Sequence, residues 1–130
     1  MFIPKISDLN IAENWEYLPA GAITPKMGLA LTQTAGKLAV AAGTVKPTYI
    51  CMREQDTPCA DGDIIPVIRV RDDIIFETEA QAAMTAVKLG DKVTLHTDGL
   101  HVTATTASGV AEVVDMDGTA AGSKIRVRFS

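Results

Sequence analysis

The stretch from Lys92 to Thr105 constrains the fold most. Lys92-Val93-Thr94-Leu95-His96-Thr97 and Leu100-His101-Val102-Thr103-Ala104-Thr105 each alternate apolar and polar residues, and Asp98-Gly99 separates them. Alternation at period two describes a strand with one buried face, and Asp-Gly between two such runs is the strongest short-range hairpin signal. A two-residue loop there requires positive φ at both turn residues. In that register Thr97 faces Leu100, His96 faces His101, Leu95 faces Val102 and Val93 faces Ala104. Val93, Leu95, Val102 and Ala104 then share a core face, and Thr94, His96, His101 and Thr103 a polar one.

The same punctuation recurs along the chain. Gly28–Leu31 and Lys37–Val40 flank Thr34-Ala35-Gly36 as a second hairpin, and Thr48–Arg53 follows Pro47 as a strand. Glu54–Asp63 is polar and turn-rich, so it reads as a surface loop. Ile64–Arg71 is β-branched, with Pro66 marking an edge or a bulge. Ile74–Thr78, Gly109–Asp115 and Lys124–Phe129 complete the strands. Ala-rich Glu79–Val87 is the one segment of this module that suits a helical turn, and it passes equally as a loop because so short a helix is marginal. The fold class is therefore all-β: a small antiparallel β-barrel or sandwich module over residues 27–130, with one short helical turn.

Residues 1–26 differ. Pro4, Pro19 and Pro25 interrupt any long helix or central strand, while Phe2, Ile3, Ile6, Leu9, Ile11, Trp15, Tyr17 and Leu18 make the segment too apolar for a typical disordered tail. It reads as an extended N-terminal arm, with room for one short helix near Ile11–Tyr17. Trp15, the single tryptophan, either folds back on its own core or anchors the arm on a neighbouring subunit.

At 130 residues the chain builds one core. Much of its apolar content is alanine and only 5% of its residues are aromatic, so that core is thin and association would add stability. A formal charge of −4 argues against a dedicated nucleic-acid binder, whose affinity rests on Lys and Arg neutralising phosphates. No apolar run reaches the ~18 residues of a membrane span, and Met1-Phe2-Ile3-Pro4-Lys5 does not open a signal peptide. The expected site of synthesis is the cytoplasm, without export by that route. Cys51 and Cys59, with seven residues between them, read as reduced thiols rather than a disulfide or a zinc site.

The sharpest chemical constellation is His96 opposite His101, since cross-strand Cβ atoms lie about 4.5–5.5 Å apart. Two imidazoles fall short of a metal's usual three or four protein ligands. Solvated surface histidines are the plainer reading, with pH-sensitive packing behind it. Lys124, Arg126 and Arg128 form a basic stripe that suits a solvated or edge-guarding role, a protein partner or, last, nucleic acid. Asp56, Asp61, Asp63, Asp72 and Asp73 match turn chemistry better than a calcium loop, and Glu77 with Glu79 reads as a solvated pair. Phosphate-binding, nucleophile-elbow and zinc-protease motifs are absent from the sequence. No enzyme activity, catalytic residue, metal or cofactor is expected.

The order of these pieces resembles a known family. Gly28-Leu-Ala-Leu, Gly36-Lys-Leu-Ala-Val, Lys46-Pro-Thr-Tyr-Ile and Ile65-Pro-Val-Ile-Arg-Val are similar to segments of small proteins encoded beside the major capsid gene in tailed phages and prophages. Val87-Lys-Leu-Gly-Asp-Lys-Val-Thr-Leu, Asp98-Gly, Gly109-Val-Ala-Glu-Val-Val and Lys124-Ile-Arg-Val-Arg-Phe extend the match. Those proteins are head decoration, or capsid cement, proteins. The resemblance covers residues 27–129 and not the arm. It implies a homotrimer on the outer capsid surface of a virion, with the major capsid protein as partner, stabilising the shell by bridging its subunits. It implies no direct nucleic-acid or membrane contact. Phe2, Ile3, Ile6, Leu9, Ile11, Trp15, Tyr17 and Leu18 are the expected capsid or inter-subunit contacts, with the Asp56–Asp63 loop as a second surface. Two rival readings are a small β-barrel module for a ligand or carbohydrate, and a small hydrolase or metal-dependent enzyme built on the histidines. The first needs a partly aromatic pocket.

Overall fold

The computed structural model describes residues 1–6 and 15–130. Ten strands run in chain order: β1 (Ile3–Ile6), β2 (Trp15–Pro19), β3 (Ala30–Thr34), β4 (Lys37–Val40), β5 (Tyr49–Cys51), β6 (Ile64–Arg69), β7 (Ile75–Glu79), β8 (Lys92–Val93), β9 (Ala111–Met116) and β10 (Lys124–Phe129). They form two five-stranded antiparallel sheets, ordered β1-β7-β10-β9-β8 and β2-β6-β5-β3-β4. This is a sandwich rather than a closed barrel, although the second sheet curls until Ala20, just past β2, bridges Leu38 of β4.

Alternation decides which side chains go where. Ala30, Ile50 and Ile68 of the second sheet meet Phe76, Val113, Ile125, Val127 and Phe129 of the first in the core between the sheets. The intervening Leu31, Tyr49, Cys51, Ile65 and Val67 point the other way, into a second cluster inside the curl, which Leu18, Ile23 and Leu100 help to close. Scarce aromatics are concentrated in the first core. Phe129 stands between Phe2 and Phe76, with ring centroids 5.2 and 5.5 Å away.

Four expectations are corrected. The helical turn at Glu79–Val87 is absent, and no residue described is helical. Its amides are spent on distant carbonyls: Gln81 N–H donates to Val102 O and Met84 N–H to Thr119 O, at 2.8 and 2.7 Å. With Met84 fully buried, tertiary pairing overrides alanine's propensity. Pro66 marks neither an edge nor a bulge, for β6 lies between β2 and β5. Its carbonyl accepts from Met52 N–H at 3.0 Å, one residue beyond the end of β5, so its missing donor falls where that ladder has run out. β10 is the central strand of its sheet, not an edge in need of guarding.

The fourth correction is the Asp98-Gly99 turn. The Leu95–Val102 pairing is as expected, and His96 N–H donates to His101 O at 2.9 Å. Only Gly99 takes positive φ, however (+69°). Gly99 N–H closes the turn on His96 O at 3.0 Å, and the Asp98 carboxylate accepts Leu100 N–H at 2.8 Å. The loop is therefore a four-residue one with an Asx turn inside it. Val93 pairs with Ala111, not Ala104, because β8 is claimed by β9. The two-residue turn with both φ positive occurs instead at Ala35-Gly36 (+52° and +79°), between β3 and β4. Alanine in that region costs about 1–2 kcal/mol. An Ala35→Asn variant should recover about 1 kcal/mol, read as a higher denaturant midpoint at unchanged slope.

Candidate functional site

On the outer face of the first sheet the basic stripe of β10 is consumed by its neighbours. Lys124 pairs with Glu79 (3.1 Å), Arg126 with Glu77 (3.3 Å), Asp115 (2.7 Å) and Asp117 (2.9 Å), and Arg128 with Glu112 (3.0 Å). The register requires this: Arg126 lies opposite Glu77 on β7 and Asp115 on β9. Exposed pairs of this kind stabilise little, but they leave the stripe no free field for phosphates. Glu77 and Glu79 are likewise held by cations.

The histidines do not form a metal centre. His101 Nδ1 lies 2.7 Å from Asp98 Oδ2, and among the described residues no three potential ligands cluster. Burial pushes the Asp98 carboxyl up, but the Leu100 amide and His101 outweigh it and leave the group below the usual carboxylate range. The bond from Lys124 holds Glu79 below that range as well. A group whose folded value lies below its unfolded value contributes stability above the unfolded value, and loses that contribution as pH falls through the folded one. Urea midpoints of wild type and Asp98→Asn should therefore differ at pH 7 and converge between about pH 5 and 2. Both cysteine thiols are free and buried, and burial raises both above their ordinary value. Neither is an activated nucleophile.

A cavity of about 350 Å³ opens where β1 meets β7 and the 98–101 turn, lined by Met1, Ile3, Glu77, Thr78, Glu79, Leu100, His101 and Lys124. No aromatic ring lines it, unlike a sugar or apolar-ligand pocket.

The expected contact residues divide. Phe2 is fully buried in its own core, with its N–H donating to Gly28 O at 2.9 Å. Ile3 is half-buried at the cavity, and Ile6 pairs in register with Ile75. Leu9 and Ile11 lie outside the described residues. Leu18 packs against the second cluster. On the same face of β2, Glu16 binds Arg69 through both oxygens (3.1 and 3.2 Å), and Arg69 lies over the Tyr49 ring at 5.0 Å. Trp15 and Tyr17 project from the opposite face and remain 37% and 64% exposed. Register places Tyr17 opposite Pro66, and Pro19 opposite Ile64, which is 54% exposed. Trp15 lies opposite buried Ile68, at the margin of the core. Trp15, Tyr17, Pro66, Pro19 and Ile64 thus form an apolar strip across the edge strand β2 and its neighbour β6. Ile64 and Pro66 belong to this strip although reading the arm alone misses them; only the pairing of β2 with β6 reveals them. The Asp56–Asp63 loop is bound inward by Gln55 N–H to Pro25 O (3.0 Å) and Cys59 N–H to Ile23 O (2.7 Å). Its Asp61 pairs with Lys37.

No protein-family model matches the chain, and no curated protein sequence matches it. Among solved structures it is similar to the head fiber gp8.5 N base of bacteriophage phi29, at a TM-score of 0.54 and 17% identity over 89% of this chain and 92% of that one. The likeness shows a shared all-β fold.

Proposed function

We propose that this protein is a phage head decoration protein that binds the outer capsid surface of the virion and stabilises the shell by bridging major capsid protein subunits, as a homotrimer. The observation that carries the reading is the fold shared nearly end to end with a protein whose name places it on a phage head. The surface agrees with it. The charged face of the first sheet is paired internally, the thiols are unactivated, and the apolar strip on β2 and β6 lies open. The tryptophan and tyrosine in this strip are of the types enriched at binding hot spots, and repetition over a capsid turns modest contacts into avidity. No enzyme activity, direct nucleic-acid contact or membrane contact belongs to this reading. The protein should coat expanded capsids as regular surface density in electron micrographs and sediment with them. Capsids left bare at micromolar protein would overturn the reading.

A further inference from the structure

We draw no further inference here: the strongest candidate, the cavity of about 350 Å³ where β1 meets β7 and the 98–101 turn, carries nothing, because the ionisable side chains that line it are already engaged, Glu77 with Arg126, Glu79 with Lys124 and His101 with Asp98, and nothing in the structure shows what fills it.

Discussion

A Gly109→Ala variant should lose at least about 3 kcal/mol of stability, beyond the ordinary cost of overpacking. The reason is contact, not φ. A Cβ on Gly109 would run into the Lys92 carbonyl and come within 2.6 Å of Val93 N. Those are backbone atoms of β8, held by Val110 N–H donating to Val93 O at 3.0 Å, and no rotamer change relieves the clash. The first sheet must give up its pairing at that margin. Gly122→Ala is the matched control: its φ is +87° and a Cβ there meets nothing within 4 Å, so it should cost only the about 1–2 kcal/mol of a left-handed alanine. Chemical denaturation of both variants measures the contrast.

Phe2→Ala should cost about 3–5 kcal/mol, the range for removing a buried aromatic ring. Thermal unfolding should shift down by about 10–20 °C for a chain of this size. The ring is fully buried and packs edge-on against Phe129, so its loss opens a cavity at the centre of the aromatic cluster. Phe2→Leu should cost much less. The second residue of the chain is thus a keystone of the core, which changes how the arm is to be tested. Deleting residues 1–20 would remove this ring and two edge strands together, so lost capsid binding in that deletion would not distinguish a lost contact from a lost fold.

Strand identity was legible wherever one face is buried and the other wet. Lys124–Phe129 alternates without exception, and it is a strand over those very residues. The Thr34-Ala35-Gly36 hairpin was equally plain. What sequence hid was partnership. Alternation identifies a strand but not its neighbours, so β10 read as an edge although it is central, and its arginines read as free although β7 and β9 carry their counter-ions. Local propensity misled at Glu79–Val87, where amide pairing to distant loops outweighs alanine content. The apolar character of the arm was visible, but not the division between Phe2, which turns inward, and Tyr17, which faces out. That division depends on the parity of β2 against β6, and so does the recruitment of Ile64 to the exposed strip.

The most direct test of the attachment surface keeps the core intact and changes only that strip. A Tyr17→Glu/Ile64→Glu variant places two charges on side chains that are more than half exposed, so its melting temperature should stay close to wild type. Co-sedimentation with expanded capsids should then show binding at least about tenfold weaker, a loss of about 1.4 kcal/mol. A folded variant that coats capsids as tightly as wild type would contradict the role given to β2 and β6.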